Sequence, residues 1–289
     1  MNTLKINQLS LTYPNNQIAI QDVTLEINNG MFGLLGPNGA GKSSLMKTIV
    51  GLQKPSKGTV LFNEINILQE KPEIQKFLGY LPQDFGTYPK VNAFDLLNHI
   101  AILKGIKDKY QRINQINNLL EQVNLSAFKF KEVHKFSGGM KQRFGIAQAL
   151  LGNPKIIIVD EPTAGLDPEE RNRFNLLLNA ISKNIIVILS SHIVEDIQNL
   201  CAKLAIMNSG KILIHGKTDE LIAPLNGKLW AKNIDLNEIK WYEEDYHVIS
   251  QKLVNGKLYL TVKQDLQPQG FDPITPTLEH AYFSTLSSN

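Results

Sequence analysis

The segment that most constrains this chain is Gly36-Pro37-Asn38-Gly39-Ala40-Gly41-Lys42-Ser43. It fits the pattern G-x-x-x-x-G-K-[ST]. A short apolar run, Phe32-Gly33-Leu34-Leu35, precedes it. The stretch from Ser43 to Val50 follows and places Leu45, Ile49 and Leu52 along one helical face. A strand that feeds a helix through such glycines makes a phosphate-binding loop. The glycines let backbone N–H groups turn inward around an anion, and the helix dipole adds partial positive charge. In that loop Lys42 reaches the outer phosphates of a nucleotide, and the Ser43 hydroxyl can ligate Mg²⁺. A Gly-rich turn with an incidental lysine would not need the strand before it and the helix after it.

The rest of the chain reads as α/β. Ile156 to Val159 and Ile185 to Leu189 are apolar β-branched runs, the mark of central parallel strands, and Glu169 to Ile181 between them reads as a crossover helix. Near the N-terminus Leu4 to Leu9 and Ala19 to Ile27 alternate as strands do. Asn92 to Leu125 changes to helical spacing, with Phe94, Leu97 and Ile100 before an interruption at Gly105 and Ile113, Ile116, Leu119, Leu120 and Val123 after it. This block is expected to be a lobe inserted at about residues 86–150. Beyond Gly216 short strands are predicted at Leu229–Ala231, Val248–Leu253 and Lys257–Val262, with Asn255-Gly256 as a hairpin turn and a last helix from Thr277 to Leu286. The reading is a main domain over 1–216 and a small α+β accessory domain over 217–289.

Charge supports that division. Residues 217–289 hold seven Lys and no Arg against ten Asp and Glu, a net −3, which leaves +6 for residues 1–216 of a chain whose total is +3. A total so small does not argue for nucleic acid as a partner. The hydrophobic share of 43% and charged share of 20% exclude disorder and collagen as overall descriptions. Cys201 is the single cysteine, so neither an internal disulfide nor a Cys metal framework is available. No apolar run approaches the roughly 18 residues of a membrane span, and the start lacks a secretory signal. The expectation is a cytoplasmic chain that meets the membrane only through a partner.

A nucleotide site also needs carboxylates at the end of a neighbouring strand. Asp160 and Glu161 follow Ile156–Val159 directly. Asp160 suits water-mediated binding of Mg²⁺, and Glu161 suits a general base or a water-orienting group beyond the γ-phosphate.

Ahead of that pair, Phe136-Ser137-Gly138-Gly139-Met140-Lys141-Gln142-Arg143 resembles the signature motif of ABC-type ATPases. Other motifs agree with it in order over roughly residues 1–216. Gly79-Tyr80-Leu81-Pro82-Gln83 resembles the glutamine loop, and Ala164-Gly165-Leu166-Asp167-Pro168 the loop that carries an Asp after the carboxylates. Ser190-Ser191-His192 resembles the switch histidine, and Tyr13 lies where the adenine-stacking aromatic sits. The resemblance implies a P-loop NTPase (RecA-like) core with an N-terminal antiparallel β subdomain and an inserted α-helical signature lobe. It further implies that two ATPase subunits, as a homodimer or a heterodimer, pair head to tail and trap ATP with Mg²⁺. In such a dimer the phosphate loop of one copy, Gly36 to Ser44, would face Ser137, Gly138 and Gly139 of the other. Gln83 would sense Mg²⁺ and the attacking water, His192 would contact the γ-phosphate, and Asp167 would couple the two sites. Phe136 and Met140 depart from the usual Leu and Gln of the signature, and Ser44 stands where Thr is common. Ser137-Gly138-Gly139, which would contact phosphate, is intact.

An ATPase without a membrane segment implies a separate integral-membrane permease. Its docking groove is expected between core and helical lobe near Gln83 to Leu97, where Asp84 to Val91 carries aromatics and Pro89. Thr277-Leu278-Glu279-His280-Ala281-Tyr282-Phe283 resembles a C-terminal motif of ABC-2-type exporter ATPases. The function implied is therefore to power a membrane exporter from its cytoplasmic face. The alternatives are an importer ATPase, or a soluble ABC ATPase acting on ribosomes or DNA; the latter generally fuse two ATPase domains or insert long coiled coils, neither of which is seen here. If the tail is accessory, a chain cut near residue 216 should keep its ATPase activity.

Overall fold

The computed structural model describes residues 2–69, 75–83, 86, 89–163, 166–254 and 256–287. Asp84, Phe85, Thr87 and Tyr88 of the expected docking stretch, Ala164-Gly165 before Asp167, and Asn255 of the hairpin lie outside the described residues.

The first sheet is antiparallel. It comprises β1 (Thr3–Thr12), β2 (Ile18–Asn28), β4 (Lys57–Phe62) and β5 (Ile65–Asn66), in the order β2-β1-β4-β5. Strand β1 buries Leu4 and Ile6, then Leu9 and Leu11, so the inward parity changes midway. The register shifts between Ile6 and Leu9, and Gln8 takes φ 45° there. This bulge keeps both apolar pairs on the core side, where an unbroken strand would turn one of them to solvent.

The second sheet has six strands in the order β10-β9-β3-β8-β7-β6. These are β3 (Gly30–Leu35), β6 (Leu78–Leu81), β7 (Ile156–Asp160), β8 (Ile186–Ser191), β9 (Lys203–Asn208) and β10 (Lys211–Lys217). All neighbours pair parallel except β10, which returns antiparallel along β9. Burial on both faces explains the continuous apolar runs. Ile156 and Ile158 pack with the first sheet and α1 (Lys42–Ile49), whereas Ile157 and Val159 pack with the helices on the other face.

Those helices begin with the inserted lobe, α2 (Ala93–Leu103), α3 (Lys109–Gln122) and α4 (Gly138–Leu150). Each starts on a residue suited to accept from exposed helical N–H groups: the side chains of Asn92, Asp108 and Ser137 accept from the amides of Asp95, Gln111 and Met140. Gly105, at φ 85°, ends α2 where the apolar spacing breaks. Lys104 joins the lobe to the sheet, with Nζ donating to Leu151 O at 2.8 Å and to Ala149 O and Leu78 O at 3.4 Å. Burial pushes its ammonium down to about 8. A Cβ on Gly79 would stand 2.3 Å from Ala149 O, so only glycine lets β6 approach the end of α4 so closely. Helices α5 (Pro168–Ser182) and α6 (Val194–Leu200) follow β7 and β8.

The tail builds a third sheet, β12-β13-β11-β14, from β11 (Leu229–Ile234), β12 (Val248–Val254), β13 (Lys257–Lys263) and β14 (Asp272–Pro273). Two short helices, α7 (Thr218–Ile222) and α8 (Ile239–Asp245), accompany it. Tyr242 of α8, Leu260, Val262 and Phe271 form a core of its own. The last helix, α9 (Leu278–Ser287), does something else. Its Leu278 is 0% and its Tyr282 6% exposed, and both belong to the main core together with Ile197, Cys201, Leu204 and Ile206.

That packing changes the expectation for a chain cut near residue 216. The cut would bare Ile197, Cys201 and Leu204 to water and lose the burial of Leu278 and Tyr282, at about 1.5–3 kcal/mol for each large side chain. We expect the shortened protein to melt roughly 10 °C or more below the full chain, which a thermal scan of both reads directly. Equal melting temperatures would show that α9 adds nothing to the main core.

Candidate nucleotide site

The phosphate-binding loop joins β3 to α1 as the spacing predicted. Gly41 is the N-cap of α1 at φ 105°, and a Cβ there would meet Ala19 O at 2.4 Å. The loop needs glycine at that point for conformation and for space alike. Lys42 is 4% exposed, and its Nζ donates to Gly36 O at 2.8 Å and Pro37 O at 3.1 Å.

Around the loop lies a cavity of about 500 Å³. Asn38 to Ser44 line it, together with Gln83, Glu161 and His192 and with Tyr13, Gln17, Ile18 and Ala19. The Tyr13 hydroxyl shares a 3.0 Å hydrogen bond with Ser44 Oγ. Gln17 and Ile18 went unpredicted; no local pattern marks them, and only the fold shows Ile18 left 57% exposed.

Charged groups converge at the strand ends. Glu161 Oε1 is 3.3 Å from Lys42 Nζ, and Glu161 Oε2 is 3.1 Å from His192 Nδ1. Glu161 follows β7 in a left-handed conformation, φ 47°, which costs a non-glycine residue about 1 kcal/mol or more and persists only where its surroundings hold it. Its N–H donates to Ser190 Oγ at 3.0 Å, and Ser190 Oγ donates to Asp160 Oδ1 at 2.6 Å. Ser190 lies in the histidine motif, yet it ties the two carboxylate residues together across β7 and β8.

Asp160 is 2% exposed and does not line the cavity. No group of three His, Cys, Asp or Glu side chains among the described residues can hold a metal ion by itself. This donor set suits Mg²⁺, which keeps several waters and takes substrate phosphates as ligands, better than a metal that wants an all-protein cage. Of the three side chains expected to hold it, Ser43 and Gln83 line the cavity and Asp160 does not.

Ser137, Gly138, Gly139 and Asp167 stand apart from this cavity. Ser137 caps α4 and Asp167 caps α5, both exposed at helix starts. Gly139 is buried against Glu170, whose carboxylate would lie 2.5 Å from a Cβ there. Among the described residues, the signature segment does not line the cavity of the phosphate loop.

A phosphate-binding loop on a parallel sheet, two carboxylate residues at the end of β7, one strand beyond the neighbouring β8, and a lobe helix opening on Ser-Gly-Gly define a P-loop ATPase. The ABC transporter family profile matches residues 20–164, and the chain belongs to that family as an ATP-binding, ATP-hydrolysing subunit. It is 34% identical over 85% of its length, and over 81% of the other, to the uncharacterized ABC transporter ATP-binding protein YxlF of Bacillus subtilis (strain 168). It is 32% identical to the Nod factor export ATP-binding protein I of Cupriavidus metallidurans, over 71% of this chain and 68% of that one. Against the A-family member 8 of Dictyostelium discoideum, 36% identical, it spans only 24% of the relative's length. Among solved structures, the dimeric post-hydrolysis state of the ATP-binding cassette MJ0796 bound to ADP and Pi superimposes with a TM-score of 0.68 at 25% identity, covering 74% of this chain and 98% of that one. The expected α/β fold with its antiparallel β subdomain agrees with these neighbours. No helix among the described residues is long and apolar enough to cross a membrane.

Proposed function

We propose that two copies of this chain close head to tail around ATP and Mg²⁺, and that hydrolysis drives an ABC-2-type exporter through a separate integral-membrane permease. The observation that carries the hydrolytic reading is the line Lys42–Glu161–His192, with contacts of 3.3 and 3.1 Å inside one cavity. Lys42 is placed to exchange its loop carbonyls for phosphate oxygens. Glu161, fixed at the strand end, accepts the proton of a water attacking the γ-phosphate, and His192 at the cavity rim orients Glu161 and meets the γ-phosphate. Tyr13 offers its ring to the base. Bound Mg²⁺ would neutralise charge between the outer phosphates, with Ser43, Gln83 and, through water, Asp160 as its protein partners. Because Ser137, Gly138 and Gly139 lie outside the cavity, the γ-phosphate clamp they suit has to come from a second copy, with Asp167 beside it.

A groove that lies outside the expected Gln83–Leu97 stretch, but between the same core and lobe, supports the permease reading. Val50, Leu52 and Tyr80 of the core face Ile100, Lys104 and Gln148 of the lobe across about 220 Å³, and Leu52 is 68% exposed. An apolar cleft between the nucleotide core and the signature lobe suits an amphipathic helix. Export is favoured over import by the Nod factor export relative and by the Thr277–Phe283 motif. The experiment is affinity capture of the chain from detergent-solubilised native membranes, followed by transport assays in inside-out and right-side-out vesicles. The reading expects a co-captured polytopic membrane protein and ATP-dependent uptake into the inside-out vesicles. Capture with a substrate-binding protein, or with ribosomes, would overturn it.

A further inference from the structure

Asp196, which no motif singled out, stands behind the cavity. It lies on α6 and is 1% exposed. Its Oδ2 accepts from Thr163 Oγ1 at 2.6 Å and from Ser191 Oγ at 3.4 Å, and its Oδ1 faces Arg171 Nε at 3.8 Å. Ser191 Oγ in turn accepts from the N–H of Ile193 at 2.9 Å.

These partners belong to three separate segments. Thr163 is two residues past Glu161, on the turn that holds Glu161 at φ 47°. Ser191 immediately precedes His192, and its bond to Ile193 spans that histidine. Arg171 stands on α5, the helix capped by Asp167. A buried carboxylate is costly unless it is paired and hydrogen-bonded, and here one cation and two hydroxyls meet it. A satisfied buried polar network rigidifies the segments it joins.

We propose that Asp196 is the positioning residue that holds the Glu161 turn and the His192 turn in register, and so sets the 3.1 Å contact between Glu161 and His192. It does not line the cavity; it acts through Thr163 and Ser191. The proposal rests on the roles given above to Glu161 and His192. Loss of Asp196 frees Thr163 and Ser191 to turn toward other acceptors, and relaxes a strained residue whose surroundings no longer over-determine it. The nucleotide-binding loop, which Asp196 does not touch, is left as it was. Its loss should therefore separate turnover from binding.

The test compares Asp196→Ala, Asp196→Asn and Thr163→Val in the full chain. Steady-state ATP turnover, ATP affinity by calorimetry and melting temperature are measured for each. A displacement of about an ångström at a reacting group lowers rates by up to about a hundredfold, so Asp196→Ala is expected to lower kcat by about ten- to a hundredfold with ATP affinity within about twofold. Asp196→Asn, which keeps one acceptor oxygen, should fall between it and the parent. Combining Thr163→Val with Asp196→Ala should cost no more than Asp196→Ala alone, because one acts through the other. Turnover of Thr163→Val and Asp196→Asn within about twofold of the parent would overturn the proposal, as would kcat and ATP affinity falling together with the melting temperature. If Asp196→Ala does not fold, Thr163→Val and Asp196→Asn decide alone. Glu161→Gln is the control: if it hydrolyses ATP like the parent, the role of Glu161 fails; if it is inactive while the Asp196 and Thr163 variants are not, only the role of Asp196 fails.

Discussion

Glu161→Gln will lower ATP turnover by about a thousandfold while leaving ATP affinity nearly unchanged. The first half follows from position. Glu161 lines the cavity opposite Lys42, and its second oxygen reaches His192 at 3.1 Å. A positioned general base contributes about 10²–10⁴-fold, and a glutamine of the same shape cannot accept the proton. The second half follows from what remains. The loop glycines, Lys42 with its bonds to Gly36 and Pro37, and Ser43 are all present in the variant. The amide oxygen can still accept from Lys42 Nζ, so the loop is not disturbed. Single-turnover hydrolysis and nucleotide titration on one preparation check both halves. A variant that hydrolyses at the parent rate would remove Glu161 from the reaction.

Lys42→Ala will weaken ATP binding by about a hundredfold or more. An ammonium makes charge-assisted hydrogen bonds to phosphate, each worth about 1.5–3 kcal/mol, and alanine offers none. There is a second effect inside the protein. Glu161 is 8% exposed, and Lys42 is its cation at 3.3 Å. Without Lys42 that carboxylate is left with His192 alone, so the variant should also melt below the parent. Calorimetric titration with ATP and a thermal scan separate the two consequences. Unchanged affinity would mean that Lys42 does not face the nucleotide.

The elements with strong local signals were legible. α1, α2, α3 and α5 follow helical spacing and open on Gly41, Asn92, Asp108 and Asp167, and β7 and β8 are β-branched runs that must be buried on both faces. The hairpin of β9 and β10 went unread although Ser209-Gly210 marks it, with φ 46° and 80° at the two turn positions. Strand β6 is four residues long and contains a glycine, so neither length nor alternation announced it; it exists because Gly79 fits against α4. Most of the residues that line the cavity stood out because they sit in short motifs, Gly36 to Ser44 above all. Ser190, Thr163 and Asp196 did not, because their work is done across some thirty residues of sequence, through contacts that no local pattern encodes. Periodicity marked β11, β12 and β13, which form a sheet of their own in the tail. The docking of α9 into the main core was hidden because Leu278 and Tyr282 are ordinary apolar residues until their neighbours are known.

The central claim is that the working site is assembled from two copies, because the phosphate loop and Ser137-Gly138-Gly139 do not meet within one chain. Sedimentation of Glu161→Gln with ATP and Mg²⁺, and again with ADP and Mg²⁺, tests it most directly. The account predicts a species of twice the chain's mass with ATP and a single chain with ADP. A single chain in both, at protein and nucleotide concentrations that saturate binding, would contradict it.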